Sequence, residues 1–447
     1  GVNDIQRADA VYDALLGRQG EAWVEPRMER VGRLLELLGD PQRSYRVIHV
    51  TGTNGKTSTS RMIESLLRAH DLRTGLFTSP HLERFTERIM IDGEPIGDAA
   101  IADAWDDLVP VLTLVDAELV ADAQSPLTFF EVLTALAFVA CADAPVDVLV
   151  LEVGMGGAWD STNAADGDVA VFAPIDLDHS DRLGNTITEI ATVKAGIIKD
   201  GAAVVSARQT DAAAAVLREH AAQHSASIAF EGTDFAVESS VLAVGGQLVT
   251  IRGLAATYSD EYLPQYGRHQ ADNAALAIAA VESFIGGGTQ PIAGDILSEG
   301  LATATSPGRL QLVGVAPTVI VDAAHNPHGA RALAAALGEF FDFDEWALVL
   351  GVFDDKNAEG IIDALAPVVT RVFTTEPQSP RASNAEELAD LVESRGLVVS
   401  AHPAADEAMD SARRWAAEAD RRAVVIAGSI VLAGEAISYA ESEGWKA

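Results

Sequence analysis

"VIHVTGTNGKTSTSRMIESLLR", residues 47–68, sets the architecture of this chain. Val47, Ile48 and Val50 form a short apolar run of the kind that fills a buried strand. Gly52 and Gly55 interrupt it, and beyond Lys56-Thr57-Ser58 apolar residues return at helical spacing: Met62, Ile63, Leu66 and Leu67. Strand, glycine loop and helix are the context of a phosphate-binding P-loop, in which backbone N–H groups and a helix N-terminus converge on an anion. In that reading Lys56 reaches the terminal phosphates and the Thr57 hydroxyl faces Mg²⁺. The loop departs from the usual form at Val50, which stands where the first glycine is expected; the glycine is displaced to Gly52. The bland alternative is a turn that binds nothing. Matched flanks on both sides favour a nucleotide.

The rest of the chain bounds the answer. At 447 residues it is long enough for two or three domains, each with its own core. It has no apolar run of bilayer length and no charged-then-apolar leader, and its single cysteine, Cys141, excludes an internal disulfide framework. A cytoplasmic protein is expected. The net charge of −35 repels nucleic acid and anionic membranes, so neither is expected as a partner. Lysines are scarce: Lys56, Lys194, Lys199, Lys356 and Lys446 are all there are. Where lysine is so rare, one set among glycines (Lys56) or inside an apolar pattern (Lys194) has a task.

Residues 44–200 alternate strand-like runs (46–51, 74–78, 147–153, 168–174) with helix-like ones (58–70, 98–116, 129–142, 187–198), which reads as a parallel sheet covered by helices. Thr51, Glu152 and Ile175 then fall at strand carboxyl ends, where open α/β sheets bind ligands. From about 225 to 265 short alternating runs suggest a small β insertion, followed by a helix over 271–285. Turn-rich "GGGTQPIAG" and "TATSPGRLQ" place a boundary near 300–308. Beyond it, strands at 318–322, 346–351, 370–374, 397–400 and 423–427 alternate with helices at 327–341, 357–365, 384–395, 404–419 and 430–441. The expected fold class is α/β: a P-loop ATPase domain on a parallel sheet with a small β insertion (1–303), then a Rossmann-like α/β domain (304–447), with a site in the cleft between them.

Several residues carry chemistry in this frame. Glu152 ends a buried strand in "LEVGMGGAWDSTN"; a carboxylate there either supports the nucleotide's Mg²⁺ or bonds to the following glycine loop. Asp178-His179 follows another strand level with Glu152, as metal ligands do, although a lone histidine is also a common structural residue. Lys194 lies among Ile190, Val193, Ile197 and Ile198, so its ammonium is either partly buried beside an anion or extended to the surface. Asn273 near a helix start suits an adenine edge or ribose, with a helix cap as the alternative. Arg309 in "SPGRLQ" has the planar fork to clasp phosphate, and "VIVDAAHNPHGA" sets Asp322 and His325 at the carboxyl edge of the second sheet.

"TGTNGKTS", "FTSPHL", "TFFEVLTALAF", "EVGMGGAWDSTN", "LDHSDRLGNT", "VKAGIIK", "HQADNAALA", "SPGRLQ", "DAAHNP" and "AGSIVLAGE" occur in the order and spacing of the folylpolyglutamate synthases, often bifunctional with dihydrofolate synthase in bacteria. The chain resembles that family from about residue 10 to 440. "GTNGKT" alone is shared with the Mur peptidoglycan ligases, whereas "FTSPH", "TFFEVLTALAF" and "KAGI" point to the folate branch. The resemblance implies an ATP-dependent ligase that phosphorylates a substrate carboxylate, lets the amine of L-glutamate attack and releases phosphate. By the same resemblance Asn54, Gly55, Lys56 and Thr57 hold the phosphates. Ser79 and Glu152 bind one Mg²⁺ and His179 a second, and Lys194 is carbamylated. Asn273, Arg309 and Asp322, with His325 beside it, contact ATP. The folate or dihydropteroate lies near Thr128, Phe129, Phe130, Glu131, Trp159, Asp160 and Ser161, with Arg27–Arg30 alongside, and a monomer is expected. The chain departs from the family pattern at Ala158, where an arginine is common, at Val193, where a glutamate is usual, and at Asp176, an unusual acid before "LDH".

Overall fold

The structure, a computed structural model, describes residues 2–18, 28–79, 81, 84–154, 160–177, 185–243, 246–304 and 308–446. Two compact units divide the chain, one built from the bulk of residues 1–305 and the other from 306–447.

The first unit is organised by β1 (Arg46–Thr51), which lies in the middle of an eight-stranded sheet. Its other strands are β2 (Thr74–Phe77), β3 (Ile89–Ile91), β4 (Glu94–Pro95), β5 (Val148–Glu152), β6 (Val169–Phe172), β7 (Ala203–Ser206) and β8 (Ser227–Phe230), in the order β4-β3-β2-β5-β1-β6-β7-β8. β1 runs parallel to β5 and β6, with Val50 opposite Glu152. Because side chains alternate across a strand, the apolar run that opens β1 serves both faces. Ile48 and Val50 pack with Met62, Ile63, Leu66 and Leu67 of α3 (Lys56–Ala69) and with the alanine-rich α8 (Arg268–Gly286). Val47 packs on the opposite face with α1 (Val2–Leu16), α2 (Met28–Leu37), α4 (Asp98–Ala121) and α5 (Phe129–Asp143). The remaining helices are α6 (Ile187–Lys194) and α7 (Asp211–Gln223), which cover the β6–β8 end, and α9 (Gly294–Thr303), which rests on α3.

The sheet is broader than the four strands expected from sequence, and it is not wholly parallel. β3 and β4 form an antiparallel hairpin at one edge. β8 falls in the stretch read as insertion but pairs parallel to β7. The insertion proper is the antiparallel sheet of β9 (Ala236–Ala243), β10 (Gly246–Arg252) and β11 (Thr257–Leu263). β8 escaped the sequence reading because it is only partly buried and gives no continuous apolar run, whereas β7 is as short and nearly as buried as β2 and β6, which were read. The helix expected over 187–198 ends at Lys194 and continues as a 3₁₀ turn over Ala195–Ile197.

The second unit is a six-stranded sheet of β12 (Gln311–Val315), β13 (Thr318–Val321), β14 (Glu345–Leu350), β15 (Arg371–Thr374), β16 (Val398–Ala401) and β17 (Arg422–Ala427), ordered β12-β13-β17-β14-β15-β16. All pairs are parallel except β12–β13, a strand that the sequence reading did not anticipate. Five helices complete the alternation: α10 (Pro327–Phe340), α11 (Ala358–Leu365), α12 (Ala385–Glu393), α13 (Ala405–Ala417) and α14 (Ile430–Glu443). Among the described residues no helix is long and apolar enough to cross a membrane.

One polar residue inside the first core sets a pH dependence. His49, on β1, is fully buried with Nε2 2.9 Å from Thr162 Oγ1. Burial, helped by the charge of Lys199, lowers its imidazole to about 3. The folded state therefore holds His49 neutral while the unfolded chain takes up a proton below about 6.5, so this residue's contribution is lost as pH falls through that value. His49→Gln should flatten the dependence of the urea midpoint between pH 6.5 and 5.5, where the wild type loses up to about 1.4 kcal/mol per pH unit. Equal slopes in the two proteins would contradict a neutral buried imidazole.

Candidate active site

The loop after β1 is shaped by two glycines that no other residue could replace without strain. Gly52 has φ 141° and a Cβ there would fall 2.7 Å from the Ala173 Cβ; Gly55 has φ 81° and a Cβ would fall 2.7 Å from Asn273 Oδ1. The loop thus threads between the end of β6 and α8. Thr53 and Asn54 both donate their N–H to Pro174 O, at 2.9 and 3.3 Å, and Thr53 Oγ1 exchanges hydrogen bonds with the backbone of Asp176. This contact gives Asp176 a place in the loop's support through its main chain. α3 starts on Gly55 with no side-chain cap, which leaves its first-turn N–H groups suited to an anion.

Three side chains meet beside the loop. Lys56 Nζ donates to Val153 O at 3.2 Å, and the Thr57 hydroxyl donates to Glu152 Oε1 at 2.7 Å. Glu152 is 2% exposed, and the N–H of Ser79 also donates to its carboxylate. Its second oxygen, Oε2, is buried and accepts no hydrogen bond. Burial raises the Glu152 carboxyl above its ordinary value, against the opposing pull of Lys56 and the Thr57 hydroxyl. An orphaned, buried carboxylate oxygen next to a threonine hydroxyl is a hard oxygen donor set, and it fits Mg²⁺. His179, expected to hold a second ion, lies outside the described residues, as do Trp159 and Arg27; among the described residues no cluster of three His, Cys, Asp or Glu forms.

Lys194 does not reach the surface. It is 3% exposed and its Nζ donates to Gly52 O at 3.1 Å, so two of the five lysines touch one loop. Asn273 lies within α8 rather than at its cap, because the helix begins at Arg268. It packs on Gly55, and its Nδ2 donates to Gln270, whose own amide reaches Ser58 Oγ at 3.4 Å.

The segment expected to meet the substrate is a wall of α5. Thr128 and Glu131 form a reciprocal capping box, and Glu131 pairs with the buried Arg30 at 3.3 Å, so both side chains fix the start of the helix. Phe129 is buried, while Phe130 is half-buried and lies across Gly154, where any Cβ would strike its ring. Asp160 accepts from the N–H of Thr162, and Ser161 shares a hydrogen bond with Thr134 at 2.8 Å. Sequence reasoning missed a group beside this wall. Arg88 Nε donates to His81 Nδ1 at 2.9 Å, its guanidinium stands over Phe129, and the His81 ring meets Tyr12 edge-on. Burial and Arg88 lower His81 to about 4. The motif "TSPHL" contained the hint, but only Ser79 was read from it.

In the second unit, Asp322 follows β13 and is buried, accepting from the N–H groups of Ala324 (2.9 Å) and Leu310 (3.1 Å). Burial raises its carboxyl, opposed by the charge of Arg309, which is itself exposed. His325 Nδ1 lies 3.0 Å from Ala323 O, and Asn326 caps α10.

With this geometry in hand, comparison with known proteins is specific. Residues 50–281 match the Mur ligase middle domain and residues 308–430 the Mur ligase glutamate ligase domain. A dihydrofolate synthase/folylpolyglutamate synthase of Mycobacterium tuberculosis is 45% identical over 445 residues, covering 94% of this chain and 91% of that protein. The solved structure of Mycobacterium tuberculosis folylpolyglutamate synthase complexed with ADP is 44% identical, with a TM-score of 0.88, covering 98% of this chain and 99% of that one. A further solved structure, described as an FPGS–AMPPCP–folate complex, is 32% identical with a TM-score of 0.81, covering 97% and 99%.

Proposed function

The chain belongs to the folylpolyglutamate synthase/dihydrofolate synthase family and is an ATP-dependent ligase, and from that premise we propose that it joins L-glutamate to folates, and to dihydropteroate, through an acyl phosphate. The observation that carries the reading is Glu152 Oε2, a buried carboxylate oxygen without a hydrogen bond, set beside Thr57 on a loop that Lys56 and Lys194 both touch.

In this reading Asn54, Gly55, Lys56 and Thr57 cradle the phosphates of ATP, and Thr57, Ser79 and Glu152 hold Mg²⁺, with His179 assigned to a second ion. Mg²⁺, when bound, neutralises charge on the phosphate oxygens. A carboxylate oxygen of the folate or dihydropteroate attacks the γ-phosphorus, the bond to the β-phosphate oxygen breaks, and ADP leaves. Lys56 stabilises the negative charge that shifts onto the phosphates. The glutamate ammonium gives one proton to water and the free amine attacks the acyl carbon; the carbon–oxygen bond to the phosphate breaks, and the departing phosphate carries off the second nitrogen proton, leaving the amide. Phosphorylation is what turns a poor electrophile into one with a leaving group. The folate is assigned to the wall of Phe129, Phe130, Asp160 and Ser161, which the Thr128–Glu131 box orients, and Trp159 is assigned to the same substrate. Asn273 contacts the nucleotide from α8, and Arg309, Asp322 and His325 do so from the second unit. Lys194 is carbamylated.

Incubation with ATP, Mg²⁺ and glutamate, offering dihydropteroate and tetrahydrofolate in separate vessels, tests the substrates by product mass. A carboxylate labelled with ¹⁸O tests the intermediate, since an acyl phosphate must deliver one labelled oxygen to the released phosphate. Unlabelled phosphate would exclude it. If the second unit contacts ATP, Arg309→Ala and Asp322→Asn should each raise the apparent KM for ATP by about tenfold or more, the worth of one charge-assisted hydrogen bond. ATP kinetics unchanged in both variants would leave the nucleotide to the first unit alone.

A further inference from the structure

The second unit carries a pocket that the ligase reaction does not use. It has a volume of about 310 Å³ and opens where α13 meets β15 and β16, three strands along the sheet from β13 and Asp322. β16 is the edge strand and only partly buried, and α13 covers β14, β15 and β17 but leaves this corner open.

Its floor is β15. Arg371 and Phe373 alternate onto one face, and the guanidinium lies 4.2 Å from the centre of the Phe373 ring. Arg371 Nη2 donates to Ser400 Oγ at 3.0 Å, and the same oxygen lies 3.0 Å from His402 Nε2. Ser400 Oγ has two lone pairs, so it can accept from Arg371 and still either accept from or donate to His402. From α13, Arg414 Nη2 donates to Ser411 Oγ at 3.0 Å, and Trp415, with Arg422 4.2 Å from its ring centre, completes the wall.

Charge decides what such a pocket takes. The chain has 66 acidic residues against 31 basic ones, so an arginine at its surface meets a carboxylate easily. Among the described residues neither Arg371 nor Arg414 forms an ion pair, although acids stand one helical turn to either side of Arg414. Asp410 is engaged by the Tyr439 hydroxyl at 3.0 Å, and Glu418, the only acid in the lining, is 4.0 Å from Arg422. Two guanidinium groups, a histidine and two serines therefore line one concavity in which the single acid, Glu418, is exposed and nearest to Arg422 rather than ion-paired with Arg371 or Arg414. We propose that this pocket binds the oxyanion of a small organic molecule, a phosphate monoester or a carboxylate, gripped by Arg371 and Arg414 with Trp415 against its organic part.

The test reads the pocket directly. The indole N–H resonance of Trp415, assigned with Trp415→Phe, is followed while the full chain is titrated with phenyl phosphate and, separately, with benzoate. A Lys56→Ala background removes phosphate binding at the P-loop from the reading. The expected result is a saturable shift with at least one probe, weakened at least about tenfold by Arg414→Gln. Arg414→Gln in the otherwise wild-type chain should keep ligase turnover within about twofold, which shows it folded. Arg371 is left in place because it also bonds the carbonyls of Val372 and Val398 and ties β15 to β16. Whichever probe binds more tightly identifies the phosphate or the carboxylate as the preferred group. A Trp415 resonance that neither probe moves up to about ten millimolar, or binding that Arg414→Gln leaves unchanged, overturns the proposal.

Discussion

Lys56→Ala should leave a folded protein with turnover reduced by about a thousandfold or more, the scale seen when a positioned charge is taken from a phosphoryl-transfer site. The expected structural cost is small. Lys56 opens α3, where alanine is the better helix former, and among the described residues the hydrogen bond its side chain donates is the 3.2 Å one to Val153 O, worth about 1 kcal/mol. The catalytic cost is large because no other lysine stands at the helix start. Lys194 is bound to Gly52 O rather than placed at the helix start, and cannot substitute. The change has a second consequence. Lys56 is the main charge holding the Glu152 carboxyl down against burial, so its loss moves Glu152 further up and weakens the one carboxylate suited to Mg²⁺. Residual activity in Lys56→Ala should therefore need more Mg²⁺ and recover partly at higher pH. Circular dichroism and a thermal midpoint within a few degrees of wild type establish the fold. Near wild-type turnover in such a protein would remove the P-loop from the mechanism.

The parts of this site that were legible in the sequence share one property: their chemistry and their local structure are written in adjacent residues. Gly52, Gly55, Lys56 and Thr57 come with their own strand and helix, so the loop could be placed without knowing what surrounds it. Glu152 was legible because a carboxylate that ends an apolar run has few explanations. Lys194 was flagged by the shortage of lysines, yet its contact with Gly52 O joins residues 142 apart, and no local pattern encodes that. The pairing of His81 with Arg88 went unseen for a related reason. It depends on a 3₁₀ turn over Phe85–Arg88 that brings the chain back as the antiparallel hairpin β3–β4, and that hairpin is too short to give a period. β8 was hidden by its partial burial, whereas β1 and β5, each buried over almost its whole length, were placed to within a residue or two. Asn273 shows how a boundary error becomes a chemical one. A helix drawn from 271 makes it a possible cap, whereas a helix from Arg268 sends its amide against Gly55.

Lys194→Ala should lower turnover by about a hundredfold or more, and small carboxylates such as acetate or formate should restore part of it. The argument rests on the sign of charge. As an ammonium, Lys194 puts a buried positive charge against Gly52 O, on the loop whose neighbours Thr57 and Glu152 are suited to Mg²⁺. A cation there opposes the ions the reaction requires. Reaction of the neutral amine with CO₂ forms a carbamate, which reverses the charge from plus one to minus one. The carbamate nitrogen keeps one N–H that can still donate to Gly52 O, and its carboxylate would supply an anionic oxygen donor for a metal ion. Val193, where the family pattern usually has a glutamate, is a departure that counts against the carbamate. A carbamylated wild-type enzyme should lose activity when CO₂ and bicarbonate are stripped from the buffer and regain it on their return, whereas acetate-rescued Lys194→Ala should be indifferent to both. Intact-protein mass under non-acidic conditions should show one added CO₂ in the active form. A fully active wild-type enzyme carrying an unmodified Lys194 amine in bicarbonate at neutral pH would sink the carbamate and leave Lys194 as a support for the loop.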